Sequence, residues 1–120
     1  MLINSYDIDG VIYLNEYSGL TPRKEDIIIT GRSIEEACET LEFLHSRGIY
    51  NQVFFNPLHK WLKSRESSGI HKASILNMLQ KSGYTIGIHF EDDEIQIEAI
   101  KGRLEQHINI VEIRSNLVKK

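Results

Sequence analysis

The sequence predicts a three-layer α/β fold, a parallel sheet covered by helices on both faces. Three observations predict it. Short β-branched runs such as "DIIIT" and "YTIGIHF" have the composition of strands buried on both sides, not the strict alternation of a half-exposed sheet. Between them lie longer segments whose apolar residues recur at three- and four-residue steps, the period of an amphipathic helix. The two kinds of segment alternate along the chain, as in successive βαβ units.

Each element has its own local reason. Residues 2–7 and 26–30 are short, apolar and β-branched, and read as the first two strands of the sheet. The intervening "IYLNEYSGLTPRKE" carries Gly19 and Pro22 as breakers and predicts a hairpin or loop. From Ser33 the period changes, and Ile34, Ala37, Cys38, Leu41, Leu44 and His45 fall on one predicted helical face. Ser33 and Glu36 have capping-box spacing, and Gly48 follows Arg47 as a stop. "YNQVFF" returns to strand composition until Asn56-Pro57 ends it. "HKASILNMLQKSG" predicts a second helix opening near Lys72, with Ile75, Met78 and Leu79 inward and Gly83 at its end. "YTIGIHF" is a further strand, "DEIQIEAIKGRL" a third helix and "INIVEI" a last strand. No internal repeat or low-complexity segment interrupts the pattern, so one Rossmann-like domain over residues 1–120 is expected.

Composition excludes several classes. The 120 residues are 41% hydrophobic and 26% charged, the balance of a globular protein and not of a disordered tail or a membrane protein. A net charge of −3 offers no global basic field for nucleic acid, leaving only local patches to consider. The single Cys38 rules out an internal disulfide framework and fits a reducing compartment. Polar residues follow closely on Met1-Leu2-Ile3, which leaves no room for a signal peptide's apolar run, and no stretch reaches membrane-span length. A cytoplasmic protein without membrane partners is the expectation.

In a sheet of this kind ligands sit beyond the carboxyl ends of the strands, where the strand order reverses. Those ends carry Asp7 and Asp9, then Thr30-Gly31-Arg32, then Glu91-Asp92-Asp93, with Lys72 able to reach the same edge. Carboxylates gathered in one crevice repel one another unless a cation joins them, and hard divalent ions prefer oxygen ligands. The predicted ion is Mg²⁺. Carboxylates, a lysine and a hydroxyl around such an ion suit phosphoryl chemistry, where positioning and charge neutralisation are the protein's main work. Asp7 and Asp9, at i and i+2 of an extended segment, share one side, and Gly10 lets the chain turn sharply behind them.

Taken in order, "YDIDGV", "IIITGR", "HK" and "HFEDD" resemble the four motifs of the haloacid dehalogenase-like (HAD) phosphohydrolase superfamily, over residues 3 to about 113. The resemblance implies that Asp7 is the nucleophile, transiently phosphorylated, and that Asp9 is the general acid and then base whose backbone carbonyl helps hold Mg²⁺. It implies that Thr30 bonds a phosphoryl oxygen and that Lys72 neutralises phosphate and nucleophile. Of the fourth motif's acids, Asp93 is assigned to the metal and Asp92 to orienting Lys72. That register is open by one position within Glu91 to Glu94, so Asp92 is a candidate ligand as well. Gly31 and Arg32 are candidate substrate contacts, with a surface ion pair as the equal alternative for Arg32.

Neither the segment between Asp9 and "IIIT" nor that between Val53 and Ser68 is long enough for a cap domain. A capless member of the superfamily has an open site, which goes with large phosphorylated substrates such as nucleic-acid ends or proteins, or with a cap supplied by a second subunit of a homo-oligomer. "SRESSGIHKASIL" and "EDDEIQ" look most similar to the phosphatase half of polynucleotide kinase-phosphatases. No G-x-x-x-x-G-K-[ST] loop is present, so kinase activity is not implied. Rival functions are a catalytically idle module used for binding or assembly, and a phosphotransferase. An EF-hand reading of "SYDIDGVIYLNE" fails at Ser5 in its first position and for want of an entering helix. His89 reads as a packed or surface histidine in preference to a metal ligand, and Trp61 with Phe54, Phe55 and Lys60 as core packing in preference to a base-stacking surface.

Overall fold

The structure, a computed structural model, describes residues 2–14 and 17–114. Five strands form one parallel sheet: β1 (Leu2–Tyr6), β4 (Ile27–Ser33), β5 (Val53–Asn56), β6 (Thr85–Glu91) and β7 (Asn109–Glu112). Their spatial order is β5-β4-β1-β6-β7. The chain moves outward from β1 to β4 and β5, then crosses to β6 and β7 on the other side. The order therefore reverses at β1, and a crevice opens beyond its carboxyl end. The expected hairpin is present as β2 (Tyr13–Leu14) paired antiparallel with β3 (Tyr17–Ser18).

Alternation along the strands feeds two cores. Ile27 and Ile29 of β4 join Ile3, Leu76, Leu79, Ile86 and Ile100 on one face. Ile28, between them in sequence, joins Tyr6, Ile8, Val11, Ile12, Leu44 and Ile49 on the other. Helices α2 (Arg65–Lys81) and α3 (Glu94–Lys101) contribute to the first core, and α1 (Ala37–Ser46) to the second. Both faces of the sheet are thus covered, as the continuous apolar runs require.

Two helices differ from the sequence reading. A 3₁₀ turn, Ile34–Glu36, precedes α1, with the Glu36 carboxylate accepting from the Ser33 amide at 3.0 Å. That turn rotates the helix so that Thr40 and Leu44 are buried while Ile34, Cys38 and His45 face water. Thr40 faces inward because its hydroxyl accepts from Arg32. Helix α2 starts at Arg65, well before the expected opening, capped by Ser64, whose hydroxyl accepts from the Ser67 amide at 3.0 Å. Its first turn is polar and invisible to apolar periodicity. Lys72 consequently lies inside the helix and not at its start. Met78, expected inward, is exposed, and Leu76 takes the core position.

Gly69 is where α2 meets α3. A Cβ there would lie 2.7 Å from the Ala99 Cβ and 2.8 Å from the Gln96 carbonyl oxygen, so only glycine allows this approach. Among the described residues no helix is long and apolar enough to cross a membrane. Gly69→Ala is expected to lower stability by about 1–3 kcal/mol in urea unfolding, because overpacking outweighs the roughly 1 kcal/mol gained in helix propensity. An unchanged or raised midpoint would show that the two helices can part without cost.

Candidate functional site

β1 delivers Asp7 to the crevice. Its amide donates to the Phe90 carbonyl at 3.1 Å, continuing the ladder to β6 for one residue past the strand. The chain then closes into a tight turn in which the Ile8 carbonyl accepts from the amides of Val11, Ile12 and Tyr13. Ile8, Val11 and Ile12 are all buried, so packing pins this turn and fixes where Asp7 and Asp9 emerge. Gly10 adopts φ +85°, a left-handed conformation, and a Cβ at this position would run into the Asp92 carboxylate. Glycine therefore serves both the turn and the close approach of Asp92.

Lys72 reaches the same point from α2. It is fully buried, with its Nζ 3.1 Å from Asp7 Oδ1 and 2.8 Å from Glu91 Oε1. Burial alone would strip its proton, but Asp7 and Glu91 outweigh burial and raise its pKa. Glu91, the last residue of β6, also meets His89 Nε2 at 3.1 Å, and His89 Nδ1 lies 2.7 Å from Ser5 Oγ. Burial, and then the Lys72 charge, lower the His89 pKa to about 3. The ring is therefore neutral, and because a carboxylate only accepts, Nε2 donates to Glu91 while the Ser5 hydroxyl donates to Nδ1.

Asp7, Glu91 and Asp92 each offer an oxygen within 4.8 Å of the others. Among the described residues Lys72 is the one buried ammonium beside these three carboxylates, so together they carry excess negative charge when all are ionised. Burial, followed by the Glu91 charge and offset by Lys72, pushes Asp7 up from 3.8 to about 8. Burial and Asp7 push Asp92 up to about 6. Glu91 Oε2 is buried and finds no hydrogen-bond partner among the described residues. A cluster that must retain protons or gain a cation, with an orphaned carboxylate oxygen inside it, fits a hard divalent ion.

The remaining sequence candidates take other places. Asp9 lies at the rim, its two oxygens held by Arg32 at 2.7 and 2.9 Å, and Arg32 Nη1 donates to Thr40 at 3.2 Å. Thr30 is buried, its hydroxyl oxygen accepting from the Arg32 amide at 3.0 Å. The Gly31 carbonyl accepts from Lys63 at 3.1 Å. Asp93, expected at the metal, instead caps α3. It accepts from the Ile95 amide at 2.9 Å and meets Arg65 twice, at 2.7 and 2.8 Å, and Arg65 foremost lowers its pKa to about 2. Glu91 makes the Lys72 contact assigned to Asp92, and Asp92 joins the acidic cluster in place of Asp93.

That one-residue displacement has a cause in the helix start. Asp93 and Gln96 have capping-box spacing, and Gln96 Nε2 does reach Asp93 at 3.2 Å. A helix beginning at Glu94 needs its cap at residue 93, which withdraws that carboxylate from the cluster. The capping signal is present in the sequence and would have separated Asp93 from Asp92. Sequence reasoning also passed over Lys63 and Arg65, and it weighed Lys60 only beside Trp61. With Asp7, Asp9 and Arg32 they line an open cleft of about 390 Å³ at the sheet's carboxyl edge.

Comparison with protein-family models, with curated proteins and with solved structures found no match.

Because folded Asp7 binds its proton more tightly than the unfolded chain does, the folded state holds more protons between about pH 4 and 8. Its contribution to stability therefore declines as pH rises through that window, by about 1.4 kcal/mol per unit of raised pKa at most. In EDTA at pH 8, Asp7→Asn is expected to melt at a higher temperature than the wild type, and the difference should shrink toward pH 5. Added Mg²⁺ should raise the wild-type Tm and leave the variant unmoved. Equal melting curves in all four conditions would refute the acidic cluster as a cation site.

Proposed function

We propose that this chain is a capless HAD-like phosphohydrolase, Mg²⁺-dependent, that cleaves phosphate monoesters through Asp7. The observation that carries the reading is the buried Asp7–Lys72–Glu91 chain, beside Asp92 and at the floor of a cation-lined cleft. The ordered motifs of the sequence support it from an independent direction.

In this reading Asp7, Glu91 and Asp92 hold the ion, which when bound would screen the negative charge shared by nucleophile and phosphate. An Asp7 oxygen attacks phosphorus, the ester oxygen leaves with a proton from Asp9, and the phosphoryl group rests on Asp7 as an acyl phosphate. Water then attacks that phosphorus, giving its proton to Asp9, and inorganic phosphate departs as the Asp7 carboxylate reforms. Lys72 keeps Asp7 oriented and offsets the charge that develops. Arg32 makes a fork suited to phosphate oxygens, so an arriving phosphoryl group competes with Asp9 for the guanidinium and frees an Asp9 oxygen for proton transfer. Thr30 shapes the cleft wall through the Arg32 amide.

An idle binding module of the same fold is the second reading, favoured because both Asp9 oxygens are occupied by Arg32. Turnover of para-nitrophenyl phosphate separates the two. Mg²⁺-dependent hydrolysis by the wild type is expected, with Asp7→Asn and Lys72→Met each reduced by about 10³-fold or more. If wild type and Asp7→Asn prove equally inert across a panel of phosphate esters, the binding reading replaces hydrolysis. Product appearing on glycerol instead of water would mark a phosphotransferase.

A further inference from the structure

The 57–64 loop beside the cleft carries the chain's only tryptophan, and the structure does not pack it in the core. Trp61 is 74% exposed, contrary to the core packing expected from sequence, and Leu62 beside it is equally open. Trp61 and Leu62 together leave adjacent apolar surface in water on a loop whose Lys60, Lys63 and Ser64 line the cleft. The ring is also held. It stacks on His59 with centroids 5.6 Å apart and planes 16° from parallel. His59 Nδ1 accepts from the Trp61 amide at 3.3 Å, so Nε2 donates to Glu35 at 2.9 Å. The other Glu35 oxygen accepts from the Lys60 amide at 2.7 Å, and the Ser33 hydroxyl donates to the Leu58 carbonyl at 2.6 Å. These bonds fix the loop on the 3₁₀ turn, so little freedom is lost when a flat group settles on the ring.

Lys60 connects this surface to the reaction centre. Its Nζ lies 5.6 Å from the Trp61 ring centre, and the residue lines the same cleft as Asp7 and Asp9. Of the four cleft cations, Arg32, Lys63 and Arg65 are each paired with a carboxylate, Asp9, Glu36 and Asp93 in turn. Lys60 makes no ion pair among the described residues. An ammonium with no carboxylate partner among the described residues, lying against a largely exposed aromatic ring, matches a single phosphate linked to a flat base that stacks on that ring. An extended polyanion would call for a row of unpaired cations.

We propose that the 57–64 loop receives a nucleotide unit, with its base stacked on Trp61 and its phosphate drawn past Lys60 into the cleft. The proposal rests on the phosphoester reading for its orientation, while its ligand chemistry can be tested without turnover. A free nucleotide and the terminal nucleotide of a strand share that chemistry.

Because Trp61 is the single tryptophan, its fluorescence reports stacking directly. Asp7→Asn protein would be titrated with adenosine 3′- and 5′-monophosphate, a 3′-phosphorylated tetranucleotide, glucose 6-phosphate and inorganic phosphate. Saturable quenching is expected from the base-bearing ligands alone, and tighter binding of the tetranucleotide or of a mononucleotide identifies the source. By calorimetry, adding Trp61→Ala to Asp7→Asn should weaken the nucleotide about tenfold, Trp61→Phe should weaken it less, and inorganic phosphate should bind all three alike. Quenching that does not discriminate base-bearing ligands, or nucleotide binding unaffected by Trp61→Ala, overturns the proposal. Quenching by nucleotides in a protein whose wild type hydrolyses no ester keeps the platform and removes the phosphatase. Hydrolysis with equal KM for glucose 6-phosphate and nucleotides does the reverse.

Discussion

A fully buried lysine is tolerable only when carboxylates surround it, and Lys72 is the constraint on which the site's arrangement depends. Its two partners come from different strands, Asp7 from the end of β1 and Glu91 from the end of β6, while the lysine comes from the interior of α2. The ion-paired triad therefore ties the central strand, its neighbour and the covering helix together at one point. Removing Lys72 would leave its carboxylate partners uncompensated in a dry environment, a larger penalty than the pairs supply in net stability. Ser5 and His89 extend the same chain of hydrogen bonds under the sheet and hold Glu91 from behind. With Asp92 added, the cluster holds more negative charge than Lys72 balances, which is why protons or a cation belong there.

Around this buried centre lies a ring of more exposed ion pairs with a different task. Arg32 grips Asp9 and Thr40, and Arg65 grips Asp93. Pairs at such exposure contribute little to stability one by one. Their bidentate geometry instead fixes the direction of each guanidinium, and so shapes the cleft wall. The floor is rigid because it is buried and fully coupled. The rim can exchange partners, since water and an incoming anion compete for each arginine, and that division is what the proposed reaction would need, with Asp7 held still while Asp9 is released.

The 57–64 loop extends this logic outward. Its anchors are Ser33, the last residue of β4, and Glu35 in the 3₁₀ turn that leads into α1, so the exposed Trp61 is referenced to the same scaffold as Arg32. On the proposed capless reading, recognition falls to such rim elements, because no second layer would close over a substrate. The Trp61–His59 pair, and Lys60 with no ion pair among the described residues, supply aromatic area and charge beside the cleft.

By itself the sequence determined the alternation of strands and helices, the parallel sheet covered on both faces, and the carboxyl edge as the place to look. Those conclusions follow from periodicity and breakers, which act between near neighbours in the chain. Asp7 was legible as a strand-end residue, whereas Lys72 stood out only by its order after Thr30 and was expected at the start of its helix. Tertiary structure alone decided which acid of the Glu91–Glu94 run meets Lys72, because that depends on where β6 stops and where α3 needs its cap. It also decided that Asp9 lies in the Arg32 fork, that α2 begins at Arg65, and that Trp61 faces water. For Lys72, Asp9 and Asp93 the contacts that win join partners 19 or more positions away in the chain. Spacing along the chain carries no record of which of those contacts wins.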